Sequence, residues 1–310
     1  MKILITGGTG LVGSAIKKIS NRYPKYSFIF ISSKDCDLTD FQETTQIFLK
    51  LNPDYVIHLA ANVGGLFKNM NQKVKMFEDN LMINYNVVKC CHAFNIKKLV
   101  AVLSTCIFPD EVSYPITEEM LHQGPPHVSN EGYAYAKRML EIHIKKYREE
   151  YNKDFVCVSP CNVYGPNDNF NLEESHVIPA IIHKCYLAKK NNTEFILKGT
   201  GKALRQFIYS EDLGELILKI LEKNNISYPN IILSPKKEYS IKEVAENIKE
   251  AFNYRKEITL ETQYSNGQYR KNVSNQKLLS LFPEFKFTSL EYGIRETISW
   301  FINNYNTCRR

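Results

Sequence analysis

The sequence has eight cysteines but no CxxC pair and no histidine and cysteine spacing of a metal site. Cys36, Cys90, Cys91, Cys106, Cys157, Cys161, Cys185 and Cys308 sit mostly inside apolar stretches, which argues for reduced thiols and against a structural zinc; no metal is expected. No apolar run approaches the roughly 18 residues of a membrane-crossing helix. The opening MKILIT also lacks the charged, then apolar, then small layout of a secretory signal. Both absences lead to the expectation of a soluble, cytoplasmic protein with no membrane partner. The net charge of +7 comes from lysine and arginine scattered along the chain, with no basic tail and no alternation of basic and aromatic residues. That distribution argues against nucleic acid as a partner and suits small anions such as phosphates. Internal repeats, low-complexity tracts and flexible linkers are missing too.

What is present is an ordinary globular composition, 44% hydrophobic and 24% charged over 310 residues, enough for one large or two intimately joined domains. Over the first 160 residues, short β-branched runs (KILIT, SFIFIS, YVIHLA, KLVAVLS, FVCVSP) alternate with helix-length segments. This pattern predicts βαβ units, and strands apolar almost throughout predict helices on both faces of a parallel sheet. The fold expected is therefore α/β, a Rossmann-type doubly wound parallel sheet with a smaller α/β substrate-binding domain. Residues 1–165 plus about 205–235 form the first unit, and about 166–204 plus 236–310 the second. Helices are expected over Asn80–Phe94 and Tyr133–Tyr151, from about Ser175, after Tyr209, and around Trp300. Ser240 and Glu243 make a capping box for one more.

TGGTGLVG follows the first strand directly, with Gly7, Gly10 and Gly13 opening a helix. Glycine permits the tight turn and the close approach of backbone to a pyrophosphate, whose charge then sits at a helix N-terminus beside Thr9, Leu11 and Val12. The strand before and the amphipathic segment after make this a dinucleotide-binding turn. An NAD site usually has an acid at the end of the second strand. Here Ser32, Ser33 and Lys34 come first, and Asp35 only afterwards. Hydroxyls and an ammonium suit a 2′-phosphate, so NADP(H) is the cofactor expected, with Asp37 and Leu38 placed to touch the adenine.

YAYAK puts Tyr133 and Lys137 four apart, on one face of a helix. Upstream, Ser104 and Cys106 in LSTCIFP lie at the carboxyl end of a strand, where open α/β sheets bind ligands. Serine, then tyrosine and lysine four apart, after a glycine-rich first turn, resembles the short-chain dehydrogenase/reductase superfamily. The resemblance implies that Tyr133 donates a proton to a carbonyl, Lys137 stabilises the phenolate and holds the nicotinamide ribose, and Ser104 polarises the carbonyl oxygen. A phenol of ordinary pKa about 10 would be drawn toward neutrality by such a cation.

GGTGLVG, SSKDCDLTD, HLAANVGG, STCIFP, GPPHVSNEGYAYAKRM, NVYGPNDNF, SHVIPA, GTGKALRQFIYSEDL and NGQYRK, spanning Gly7 to Lys271, together resemble the GDP-L-fucose synthase family of the extended branch of that superfamily. Its members epimerise GDP-4-keto-6-deoxy-D-mannose at C3 and C5 and reduce it at C4 with NADPH. The resemblance implies that Cys106 and His176 are the acid and base pair of epimerisation. It also implies that Asn162 and Val163 contact the nicotinamide, and that Ala60, Ala61, Gly64 and Gly65 line the cofactor. Asn80 matches a structural asparagine that positions strand ends. Arg205 and Lys271 match basic residues that meet the diphosphate or sugar, and Asn169 lies in the loop near the sugar. Lys184 stands where some relatives have arginine, and Cys161 where threonine is usual. A homodimer joined through the two long helices is implied, as is a functional link to a GDP-mannose 4,6-dehydratase. Two other readings remain. A sibling 4-epimerase or dehydratase would be expected to carry an acid after the second strand, and the dehydratase an Asp-Glu pair near the serine, where Thr105 and Cys106 stand instead. A sensor that binds NADP without turnover would have no need of a proton donor.

Overall fold

In the computed structural model, which describes residues 1–264 and 268–310, the apolar runs become a six-stranded sheet. The first part of the chain runs β1 (Lys2–Thr6), α1 (Leu11–Ile19), β2 (Ser27–Ile31), α2 (Phe41–Leu51), β3 (Tyr55–His58), α3 (Leu66–Asn71), α4 (Lys73–Ala93), β4 (Lys98–Val102), α5 (Glu131–Tyr151) and β5 (Phe155–Pro160). It continues through β6 (Asn162–Tyr164), α6 (Val177–Asn191), β7 (Phe195–Lys198), β8 (Leu204–Arg205), β9 (Phe207–Tyr209), α7 (Ser210–Glu222) and β10 (Asn230–Leu233). Last come β11 (Tyr239–Ser240), α8 (Ile241–Ala251), β12 (Ile258–Glu261), α9 (Gln276–Leu281) and α10 (Leu290–Asn303). Of the NGQYRK stretch, Asn266 and Gly267 lie outside the described residues.

The sheet has the order β2-β1-β3-β4-β5-β10, with every neighbouring pair parallel. The winding direction reverses between β1 and β3, which opens a crevice at their carboxyl ends, where such sheets take ligands. Ile3, Leu4 and Ile5 of β1 and all of β5 are buried, as strands covered on both faces must be.

Local signals explain the helix ends. The Asp40 carboxylate accepts from the backbone of Gln42 and Glu43 to start α2, and the expected capping box of Ser240 and Glu243 starts α8. Asn52, Asn152 and Asn192 close α2, α5 and α6 in the left-handed conformation. Asparagine supplies every positive φ outside glycine among the described residues, its short amide easing a conformation that other side chains resist. The helix expected over Asn80–Phe94 begins seven residues earlier, at Lys73, and the one expected from Ser175 begins at Val177 with His176 as its N-cap.

Apolar side chains gather in two clusters. One surrounds the central sheet; the other joins Tyr164, Phe170, α6, β7, α8 and α10. Val273, Leu278 and the partly buried Phe282, Phe285 and Phe287 pack with the first cluster, although the sequence pattern assigns them to the second unit.

Candidate active site

The glycine turn after β1 is held by contact. Gly7 has φ +69°, and a Cβ there would sit 2.9 Å from the Ala60 nitrogen at the end of β3. A Cβ on Gly13 would meet the Gly8 carbonyl carbon and oxygen at 2.6 Å. Gly10 caps α1 with no side-chain hydrogen bond, so the first amides of the helix remain available to an anion. Thr9 is exposed and Leu11 and Val12 are half-buried around it. After β2, the Asp35 carboxylate accepts from both the backbone nitrogen and hydroxyl of Ser32, at 2.8 and 2.7 Å, which holds its pKa down. The one acid of the turn is thus folded back, leaving Ser33 and Lys34 exposed. Asp37 turns on itself by accepting from Thr39, while Leu38 is buried with its carbonyl accepting from Asn86. These residues fit a dinucleotide, and at the ribose they fit one with a 2′-phosphate.

Ala60, Ala61 and Gly64 follow β3, partly buried, and a Cβ on the adjoining Gly65 would lie 2.8 Å from the Glu174 carbonyl oxygen. The Gly65 amide donates to that same oxygen at 3.0 Å, which ties the loop after β3 to the loop before His176. Asn80 is fully buried, accepting from the Asn62 amide and donating to the Asn62 and Met76 carbonyls, so it fixes the backbone after β3. Asn162 donates to the Gln206 carbonyl at 2.8 Å, and Val163 packs at the edge of the first cluster.

Ser104 caps a 3-10 turn, Thr105–Ile107, and accepts from the Cys106 amide at 3.3 Å. The turn is braced by buried Arg138, which donates to the Ile107 carbonyl at 2.6 Å and the Gly124 carbonyl at 2.8 Å. From α5, Tyr133 and Lys137 reach the same place. Lys137 is 1% exposed, and its ammonium donates to the Val102 carbonyl at 2.9 Å, two residues before Ser104. Burial lowers the Lys137 pKa to about 8, with the Cys157 and Cys106 thiols opposing the shift. Burial raises the Tyr133 pKa, and Cys106 acts in the same direction. The phenol was expected to be drawn toward neutrality by Lys137. Instead, burial favours the uncharged form of the phenol. A phenol held protonated is the form that a proton donor needs.

Lys271 converges on this group from far along the chain. Its pKa is lowered by burial, raised by Cys106, lowered by Arg205 and raised by Asp110, which places those three around it. The segment that carries it is clamped on both sides. Ile116 and Val273 form a parallel bridge, and the Ile116 amide donates to the Asn272 carbonyl at 2.9 Å. On the other side, Gln206 donates to and accepts from Val273, and Arg205 donates to the Gln268 carbonyl at 2.7 Å. Gln268 also bonds Asp110. Arg205 itself has its pKa lowered by burial.

His176, the N-cap of α6, is solvent-exposed, yet protein surrounds it closely enough to lower its imidazole pKa by desolvation. Asn169 accepts from the Asn171 amide and donates its own amide to buried Asp168, whose carboxyl is pushed up by burial to about 7. Lys184 faces Lys198 of β7 and Glu261 of β12, so it belongs to the second cluster's rim, apart from Cys106 and Tyr133. Buried Cys161 has its thiol pushed up by burial to about 12.

Sequence reasoning missed Arg138, Gln206, Asp110 and a buried trio of Thr6, His58 and Asn84. The histidine interrupting the apolar run YVIHLA is the one signal that pointed toward the trio.

A family model described as the NAD dependent epimerase/dehydratase family matches residues 3–233. A protein named GDP-L-fucose synthase from Dictyostelium discoideum is 49% identical over 99% of this chain and 97% of its own. A probable GDP-L-fucose synthase from Drosophila melanogaster is 44% identical over 100% of this chain and 99% of its own. Among solved structures, a GDP-L-fucose synthetase from Naegleria fowleri bound to NADP is 48% identical, with a TM-score of 0.95, covering 100% of this chain and 95% of that one.

Proposed function

The chain belongs to the NAD dependent epimerase/dehydratase family, and we propose that it converts GDP-4-keto-6-deoxy-D-mannose to GDP-L-fucose with NADPH, by epimerisation at C3 and C5 and reduction at C4. The observation that carries the active-site reading is the meeting of Ser104, Cys106, Tyr133, Lys137 and Lys271 next to the carboxyl end of β4, in the same parallel sheet whose β1 leads into the Gly7–Gly13 turn.

Gly7, Gly10 and Gly13 with the α1 amides hold the pyrophosphate, Ser33 and Lys34 the 2′-phosphate, and Asp37 and Leu38 the adenine. Thr9, Leu11, Val12, Ala60, Ala61 and Gly64 line the path to the nicotinamide, which Asn162 and Val163 meet. When bound, NADPH supplies the hydride for C4. The 4-ketone acidifies its neighbouring carbons, and Cys106 and His176 form the pair that removes a proton from one face and returns one to the other. Ser104 and Tyr133 stabilise the negative oxygen at C4 during both epimerisations. Tyr133, kept protonated by its dry surroundings, then delivers its proton to that oxygen. Lys137 compensates the phenolate left behind. Arg205 and Lys271 supply charge for the diphosphate or sugar, since a guanidinium offers a fork of donors to phosphate oxygens. Asn169 and Lys184 are assigned to the outer substrate contacts.

The two-unit division is part of this proposal, with 273–287 placed on the Rossmann unit because of its packing. So is a homodimer through α4 and α5, on which Met82, Tyr85, Tyr135 and Met139 are exposed apolar side chains. Light scattering that finds only monomer would remove the dimer. Among the described residues no helix is long and apolar enough to cross a membrane. A cytoplasmic enzyme fed its keto-sugar by a GDP-mannose 4,6-dehydratase is the setting proposed.

The experiment is to follow NADPH oxidation by absorbance while the keto-sugar is generated in the same vessel, and to identify the product. GDP-L-fucose is expected. GDP-rhamnose alone would remove the roles given to Cys106 and His176, and no NADPH consumption would point to a sibling enzyme acting on another nucleotide sugar.

A further inference from the structure

Thr6, His58, Asn84 and Lys137 come from four different elements, β1, β3, α4 and α5, and all four are buried. The first three form one chain of hydrogen bonds whose every proton can be placed, and it ends on the carbonyl of Ala136, the residue before Lys137. Asn84 lies 3.4 Å from the Ala136 carbonyl, an acceptor only, so its amide nitrogen donates there and its oxygen faces His58. That oxygen, 3.1 Å from His58 Nε2, can only accept, so Nε2 carries the hydrogen. Nδ1 of the neutral ring is then an acceptor, and Thr6 Oγ1 at 2.8 Å donates to it. The same oxygen accepts the Ala60 amide at 3.2 Å. The chain therefore runs in one direction, from Ala60 at the cofactor end of β3, through Thr6, His58 and Asn84, to the carbonyl of the residue before Lys137.

Lys137 is thus held twice. Its ammonium is fixed by the Val102 carbonyl, and the backbone beside it by Asn84. His58 has Lys137 as its charged neighbour, and burial together with that cation drives its pKa down to about 3. The ring faces Thr6 of β1, Asn84 of α4 and Lys137 of α5, while Lys137 also faces Cys106 after β4 and Cys157 of β5. A protonated ring would add a second buried cation beside the first and leave the Thr6 hydroxyl without its acceptor.

We propose that His58 is a positioning residue for the reduction, a fixed neutral relay that sets the place of Lys137 on α5 relative to the cofactor end of β3. This rests on the reading that Lys137 serves the reduction. Its effect comes through geometry, so the loss expected is in kcat.

Two substitutions separate the ends of the relay. His58→Gln keeps a donor near the Nε2 position, facing Asn84; His58→Asn keeps an acceptor near the Nδ1 position, facing Thr6. The Gln variant is expected to hold kcat within about 3-fold, and the Asn variant to lose roughly 10- to 100-fold. Retention by both, loss by both in step with thermal stability, or the reverse order would each overturn the proposal. Lys137→Met is the control. If it keeps the reduction, the reading of Lys137 falls and this inference with it; if it loses the reduction while His58→Asn does not, the inference alone falls. Should either His58 variant fail to fold, 15N spectra of the histidine-labelled parent decide. A His58 ring protonated at Nε2 and unchanged between about pH 5 and 9 is expected, and an Nδ1–H ring or a titration in that range overturns the proposal.

Discussion

Lys137→Met tests a buried charge by its pH dependence. The Lys137 ammonium is 1% exposed and its pKa falls from 10.5 to about 8 because burial disfavours the charged form. A drop of that size corresponds to about 3 kcal/mol by which the folded state is penalised relative to the unfolded chain. The sign follows from the two pKa values. Below pH 8 both states carry the charge and the penalty is complete. As pH rises from 8 toward 10.5 the folded state loses its proton first, and the penalty shrinks. Methionine has similar length and no charge, so the variant never bears the penalty. It does lose the hydrogen bond to the Val102 carbonyl, worth about 1–3 kcal/mol, but that loss enters at every pH. The difference in unfolding free energy between variant and parent should therefore fall by about 2–3 kcal/mol between pH 7 and pH 10, whatever its absolute value. Urea unfolding at the two pH values measures it, with the reduction rate recorded alongside. A difference that stays flat across that interval would mean the ammonium is well solvated. The account of Lys137 as a dry cation would then be wrong, even if the variant had lost all activity.

Three further outcomes follow from the site. Gly13→Ala drives a Cβ to 2.6 Å from the Gly8 backbone, and the distorted turn should weaken NADPH binding roughly 5- to 150-fold, the equivalent of about 1–3 kcal/mol of overpacking, in a fluorescence titration. An unchanged affinity would show that the turn does not shape the pyrophosphate site. Lys34→Ala should raise KM for NADPH about 10-fold and leave KM for NADH unmoved, because only the 2′-phosphate meets the ammonium; equal effects on both would place Lys34 elsewhere. Cys106→Ser should slow solvent deuterium incorporation at C3 and C5 by at least about 100-fold, and labelling at the parent rate at both carbons would end the role given to the thiol.

The parts of this enzyme that were legible in its sequence are those whose physics is local. A strand covered on both faces must be an apolar run, so KILIT and FVCVSP announced β1 and β5. A turn in which Cβ atoms would strike backbone must use glycine, so Gly7 and Gly13 were visible as spacing. Tyr133 and Lys137 share one helix and needed only its period. What stayed hidden depends on the tertiary fold. Lys271 reaches Cys106 because its segment is clamped between the Ile116 backbone and the Gln206 side-chain amide, an arrangement that residue spacing does not encode. The Tyr133 pKa was expected to fall because the neighbouring cation was visible and the burial that raises it was not.

His58 shows the same division within one residue. Its position in an apolar strand was readable, and a buried histidine commonly serves only to satisfy its neighbours. Its direction was not, because that depends on Asn84 having a carbonyl, and not a donor, as its second partner. Once that carbonyl is known, a single proton arrangement satisfies Ala60, Thr6, His58, Asn84 and Ala136 together, and it requires an uncharged ring. Beside Lys137, neutrality also limits the penalty on the one charge that the reduction is proposed to need there. A relay built for stability alone could be replaced by apolar side chains of matching shape at little loss. Keeping three polar side chains aligned next to a buried ammonium is understandable if the place of that ammonium is what the alignment secures.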